Sequence, residues 1–394
     1  MMEKYKSFET NAIRTQVKRS SQKEYSVPIF VTSSFIFDSA EEARSVFADE
    51  KEGHIYSRFS NPNNDEFVEK LCLLEGTEDG ISTATGMAAI FLALTAHLRA
   101  GDHIVSSRSI FGTTNQILTN VLPRWGISHS YVDINDNADW EEAILPQTRL
   151  LYVETPSNPC LDICDLSFLG KLAKKNNLLF VVDNCFATPY LQNPSKFGAH
   201  LVCHSATKFI DGQGRTMGGA VLGPKDIING VRIMARQIGT TLSPFNGWIL
   251  SKSLETLAIR MEKHCDNAMK LANFLSQHKD VKSVNYPFLK NFPQYKLAKK
   301  QMKLGGGVVT FDLKGGKKGC MKFIDNLQMV SISSNLGDSR TTITHPATTT
   351  HSKLSPEERK DVNISDSMVR VSVGLEHIDD IINDIQQAIE RSVK

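Results

Sequence analysis

Long apolar runs are missing from this chain. No stretch approaches the roughly 18 consecutive apolar residues of a membrane-spanning helix, so no membrane partner is expected. Residues 1–25 are polar, carry both charge signs and lack the apolar segment of a secretory leader. A charge excess is missing too: 45 basic side chains stand against 43 acidic ones. That balance gives no electrostatic basis for binding nucleic acid. The basic run from Lys296 to Lys303 reads as a solvated helix face. Cysteine is sparse and unpatterned. The seven are Cys72, Cys160, Cys164, Cys185, Cys203, Cys265 and Cys320. Only Cys160 and Cys164 are close, and no His or Cys follows them at zinc spacing, so no metal site is expected. Free thiols in a reducing, cytoplasmic compartment are the expectation. No G-x-G-x-x-G or Walker pattern sits between a strand and a helix, which argues against a dinucleotide or ATP site. Repeats and low-complexity segments are absent as well.

What is present is an ordinary globular composition, with 41% apolar and 22% charged residues over 394 positions. That length suggests two domains or three. Residues 1–60 show few helix or strand signals and read as an arm that embraces a partner subunit. From about residue 61, short apolar runs alternate with helical spacing. Leu150 to Glu154 and Leu178 to Asp183 read as buried strands, and Gly86 to Leu98 and Thr113 to Leu122 as helices. This alternation predicts an α/β domain over 61–250, built on a mostly parallel sheet. Such sheets bind ligands at the carboxyl ends of their strands. A long helix from Ile249 to Gln277 is expected to lead into a smaller α+β domain over 251–394.

The strand ends carry the chemistry. His204-Ser205-Ala206-Thr207-Lys208 follows the apolar run Leu201 to Cys203. It places a lysine beside two hydroxyl residues, as a Schiff base with a phosphorylated aldehyde cofactor requires. Taken alone, Lys208 is better explained as a solvated loop lysine. Asp183 ends another apolar strand, where a carboxylate can pair with a protonated pyridine nitrogen or simply cap a turn. Gly86 and Met87 open an Ala-rich helix, whose free N–H groups can hold a phosphate.

Six pieces in this order resemble the Cys/Met-metabolism family of pyridoxal 5'-phosphate (PLP) enzymes, which has the type I, aspartate aminotransferase-like fold. They are Tyr56-Ser57-Arg58 with Asn61-Pro62; Thr85-Gly86-Met87-Ala88-Ala89; Glu154-Thr155-Pro156-Ser157-Asn158-Pro159; Val182-Asp183-Asn184 with Ala187-Thr188-Pro189; Ser205-Ala206-Thr207-Lys208; and Arg370-Val371-Ser372-Val373-Gly374-Leu375-Glu376. The resemblance implies PLP bound covalently to Lys208, which also moves protons. Asp183 would pair with the ring nitrogen. Gly86, Met87, Ser205 and Thr207 would bind the phosphate. Tyr56 and Arg58 would reach the phosphate of a neighbouring subunit, making a homodimer obligatory and a homotetramer expected. Arg370 would clamp the substrate carboxylate, helped by Ser334 and Asn158.

One departure stands out. Where the family usually stacks a tyrosine on the cofactor ring, this chain has Phe111. It can stack but has no hydroxyl, which leaves more proton transfer to Lys208. Cys185 reads as packing, since no base partner is evident.

Asn335 to Arg340 and Thr344 to His351, with Lys208 to Ala220, resemble the homoserine-ester sulfhydrylases, above all those acting on the O-succinyl ester. The implied reaction is replacement of the γ-ester by sulfide to give homocysteine, in methionine biosynthesis. Cystathionine γ-synthase and methionine or cystathionine γ-lyase are the alternatives, and a catalytically silent binding protein is a rival from another class. The absence of a cysteine at Thr113 counts against the methionine γ-lyase. Arg340 would favour an anionic succinyl ester if it faced the cleft; an exposed arginine is the other reading.

Overall fold

The computed structural model describes residues 5–392. A seven-stranded sheet forms from β1 (Asp79–Thr83), β2 (His103–Ser107), β3 (Ser128–Val132), β4 (Thr148–Glu154), β5 (Leu179–Asp183), β6 (Leu201–Ser205) and β7 (Gly219–Gly223), in the order β1-β7-β6-β5-β4-β2-β3. Neighbours among β2 to β6 are parallel; β7 runs antiparallel to β6 and β1. The interior strands are apolar on both faces because both faces are covered. Leu150 and Tyr152 of β4 pack on one side with Leu92 and Val181, while Leu151 and Val153 pack on the other with Leu169 and Val182. This is the two-residue alternation of a strand, filled by apolar groups in both directions.

The helix Pro62–Glu75 shows how local signals set boundaries. Asn61 caps it by accepting from the Asn63 N–H, Pro62 occupies the first turn, and Gly76 ends it in the left-handed region at φ 77°.

A second sheet contains β8 (Val281–Asn285), β9 (Val308–Leu313), β10 (Ser331–Ile332), β11 (Thr342–Thr344) and β12 (Met368–Ser372), ordered β10-β11-β12-β9-β8. The helices Leu257–Gln277 and Ile378–Ser392 pack together beside it. Buried Leu257, Met261, Cys265, Ala268, Leu271, Ala272 and Leu275 form a stripe on the first of these helices.

Three expectations need correction. The 1–60 arm is not wholly irregular: it contains helices Phe8–Arg14 and Ala40–Phe47, the second capped by the Ser39 side chain on the Glu42 N–H. The expected helix from Ile249 to Gln277 is two helices, Pro244–Leu254 and Leu257–Gln277, broken where Thr256 leaves helical geometry. The helix expected from Thr113 to Leu122 is only Gly112–Gln116, followed by a π turn and a 3-10 turn. Pro123 accounts for that break, since it has no N–H to donate and crowds the carbonyl four residues back.

Among the described residues no helix is long and apolar enough to cross a membrane. No group of three or more His, Cys, Asp or Glu among them is placed to hold a metal ion.

Candidate active site

A cavity of about 440 Å³ opens at the carboxyl ends of β4, β5 and β6. Strand ends expose polar residues there because the apolar runs stop where the sheet stops. Asp183 is the last residue of β5 and is buried. Its Oδ1 accepts the Cys185 N–H at 3.0 Å. Burial pushes its proton affinity up to about 6, against the opposing pull of that backbone bond and of His204.

Lys208 lies in the turn after β6 and lines the same cavity. Its Nζ donates to Asn335 Oδ1 at 2.5 Å. Burial lowers its proton affinity, and the positive charge of Arg370 lowers it further, with Cys185 opposing. A buried amine with its proton loosened is a better nucleophile and base than a solvated one.

The opposite end of the cavity is built for an anion. The helix Gly86–Thr95 begins there, and the Thr85 Oγ1 is committed to the Ala88 N–H. Among the described residues no hydrogen bond takes up the Gly86 or Met87 N–H. Those two donors and the helix dipole favour negative charge. Gly86 sits so close to β6 that a Cβ on it would fall 2.5 Å from the Ser205 Cβ, so only glycine lets this N-terminus approach the Ser205 hydroxyl. Thr207 lines the cavity too, its hydroxyl bonded to the Gly218 N–H at 3.1 Å.

Arg370 comes from β12 and is fully enclosed, 2% exposed. Nη1 donates to Asn158 Oδ1 at 2.9 Å and Nη2 to the Ser334 carbonyl at 2.8 Å. The help expected from Ser334 is therefore its backbone oxygen holding the arginine. The Nε is buried with no partner. Burial lowers Arg370 to about 10, opposed by Glu154. A buried guanidinium with an idle donor and no carboxylate bonded to it suits an anionic ligand.

Phe111 lines the cavity facing these groups. Cys185 also lines it, and burial keeps its thiol protonated.

Tyr56 and Arg58 stand elsewhere. Tyr56 is 41% exposed. Arg58 lines a separate cleft with Arg232 and Arg236, lies over the Phe59 ring at 4.8 Å, and bonds the Arg236 carbonyl.

Arg340 does not line the cavity, so of its two readings the exposed arginine is the one the structure fits. Its side chain is exposed and held in a two-point ion pair, Nε to Asp338 Oδ1 and Nη2 to Oδ2, each at 3.1 Å. A carboxylate two residues away captures it before any distant ligand can.

Two cavity residues were missed as site residues. Asn335 meets Lys208 across 127 positions and leaves no local signal. Glu154 had one: like Asp183, it ends a buried apolar strand with a carboxyl group.

The residues present fit PLP. An amine, a carboxylate, a helix start with two idle donors and a guanidinium with an idle Nε share one cavity.

Comparison with known proteins agrees. The family model described as Cys/Met metabolism PLP-dependent enzyme matches residues 9–390. An O-succinylhomoserine sulfhydrylase of Pseudomonas aeruginosa is 45% identical over 383 residues, covering 97% of this chain and 95% of that protein. An L-methionine gamma-lyase of Treponema denticola is 43% identical, covering 93% and 92%. The crystal structure of a putative O-acetylhomoserine (thiol)-lyase of Campylobacter jejuni, which contains an N'-pyridoxyl-lysine-5'-monophosphate residue, superimposes with a TM-score of 0.95 at 35% identity, covering 98% of this chain and 100% of that one.

Proposed function

The chain belongs to the Cys/Met-metabolism family of PLP-dependent enzymes, and from that premise we propose that it replaces the γ-ester of an O-acylated homoserine with sulfide. The O-succinyl ester is the proposed substrate, and homocysteine and succinate are the products. The observation that carries an amino-acid substrate is the union of Lys208, Asp183 and Arg370 in one cavity. The likeness to O-succinylhomoserine sulfhydrylase over nearly the whole chain supports the ester and the sulfide.

PLP supplies a carbonyl for the substrate amine and an electron sink for the bond electrons released at Cα. The protein's own groups do the rest. Arg370 fixes the substrate carboxylate, which aims the Cα proton at Lys208. Lys208 would carry PLP and, with its amine free, would take that proton as general base. Asp183 would hold the ring nitrogen as the anionic partner that favours its protonated form. Asn335 receives the Lys208 amine and holds it inside the cavity. Phe111 forms a wall without a hydroxyl, so Lys208 also serves the β-proton. Gly86, Met87, Ser205 and Thr207 would hold the phosphate. Tyr56 and Arg58 complete that anion site in a neighbouring copy, which makes the dimer the active unit.

Replacing Arg370 with lysine is expected to raise KM for the amino-acid substrate about 10- to 100-fold, because a lysine cannot reproduce the two-point contact. Steady-state kinetics check this.

A γ-lyase is the second reading, favoured by the 43% identical L-methionine gamma-lyase. Product analysis separates the two. O-succinylhomoserine with sulfide should give homocysteine, whereas methionine alone should give no detectable 2-oxobutanoate. The reverse outcome would make the protein a lyase.

A further inference from the structure

Glu154 has none of the roles assigned above. It ends β4, is buried, lines the cavity, and stands in register opposite Asp183. Its Oε2 accepts the Phe111 N–H at 2.8 Å, and no other hydrogen bond engages that N–H among the described residues. The Asn158 backbone lies four residues further along the same segment and favours the charged form of this carboxyl group. Each of these two residues governs a feature of the cavity. The Phe111 ring is one wall, and the Asn158 Oδ1 holds Arg370 Nη1. Phe111 follows β2 and Asn158 follows β4, adjacent strands of the sheet, and Glu154 at the end of β4 joins the two segments through its bond to the Phe111 N–H.

We propose that Glu154 is a positioning residue: by bonding the backbone at Phe111 and Asn158, its one carboxyl group fixes the distance between the aromatic wall and the arginine clamp. The inference rests on the reading that Arg370 binds the substrate carboxylate.

The charge state follows from the neighbours. Two buried carboxyl groups at adjacent strand ends cannot both ionise cheaply. Burial lifts the Glu154 proton affinity well above the usual carboxylate range, and the Asp183 charge lifts it further. Asp183 is lifted only to about 6. The negative charge therefore rests on Asp183, and Glu154 accepts its N–H bonds as a neutral group. An amide can do the same.

The test compares wild-type holoenzyme with Glu154→Ala and Glu154→Gln. Alanine is expected to raise KM for O-succinylhomoserine about tenfold, with a smaller fall in kcat, since a buried bond to each segment is lost. It should also speed amide hydrogen exchange in residues 108–116 and 155–160. Glutamine should recover most of the KM and the exchange protection. Glutamine as defective as alanine would overturn the proposal, because the charge and not the anchorage would matter. Alanine with wild-type KM and protection would also overturn it. Should the alanine variant fail to fold, glutamine decides alone: wild-type-like KM and protection sustain the proposal, and a raised KM sinks it. Arg370→Lys runs in parallel. If its KM is unchanged, the carboxylate reading fails; if it rises while Glu154→Ala is silent, only the positioning role fails.

Discussion

Lys208→Ala is expected to lower kcat by at least about 10⁴-fold while leaving the protein folded. The magnitude follows from the number of tasks one amine performs. On the proposed reading it carries the cofactor, takes the Cα proton and, with Phe111 beside it, serves the β-proton as well. In an active site with a tyrosine hydroxyl near the ring, part of that work could pass to a second group. Among the described residues of one copy, those lining the cavity include no tyrosine and no histidine, and Tyr56 of a neighbouring copy is assigned to the phosphate. Cys185 is the nearest thiol, and burial holds it protonated, so it cannot substitute as base. Stability should not suffer. Burial depresses the Lys208 proton affinity in the folded chain, so charging this amine opposes folding as pH falls through its folded value. Removing it takes away that penalty, and the cofactor-free variant should melt no lower than the cofactor-free wild type near neutral pH. The visible absorbance of lysine-bound PLP should vanish from the variant. Retained absorbance, or turnover within about tenfold of wild type, would mean that another residue anchors the cofactor.

The contrast between Lys208 and Asn335 shows what a sequence can reveal. Asp183 ends one short apolar strand and Lys208 follows another by three residues, and a polar residue at such a point is visible within a window of about ten residues. The parallel sheet then brings all such ends to one edge, which is why both line one cavity. Glu154 obeyed the same rule and could have been read the same way. Asn335 obeys no local rule. It reaches Lys208 because the second sheet packs its β10–β11 connection over the first, a contact between distant segments. Arg370 and Asn158 meet across 212 positions for the same reason. Arg340 left two readings open, cleft-facing or exposed; Asp338 two residues earlier pairs with it on the surface, and a pair that short is set by local geometry. The arm over residues 1–60 hid its helices because both are under ten residues long, too short for periodicity to stand out.

Asp183→Asn should reduce kcat about 10²- to 10³-fold, the second largest loss expected from a single change. Asparagine keeps the size and can still accept a hydrogen bond, so what it loses is charge. An opposite charge within contact distance shifts a titrating partner by about 1–3 units, and each unit is a factor of ten in the population of the protonated ring nitrogen. No other anion is placed to compensate. Glu154 is adjacent in register, but burial and Asp183 together keep it protonated. Its proton would be released more readily once Asp183 is neutral, and that limits the loss to less than the Lys208 variant shows. The same group gives a pH signature in the cofactor-free protein. Its folded proton affinity is raised from 3.8 to about 6. A raised value means that the stability contributed by the protonated form is fully present below the ordinary value and is lost as pH rises through about 6. Cofactor-free wild type should therefore lose melting temperature across that window, and Asp183→Asn should flatten the fall, with the two proteins converging at its acid end. Parallel melting curves across the window would show that Asp183 is not buried against its charge, and the electrostatic account of this site would have to be abandoned.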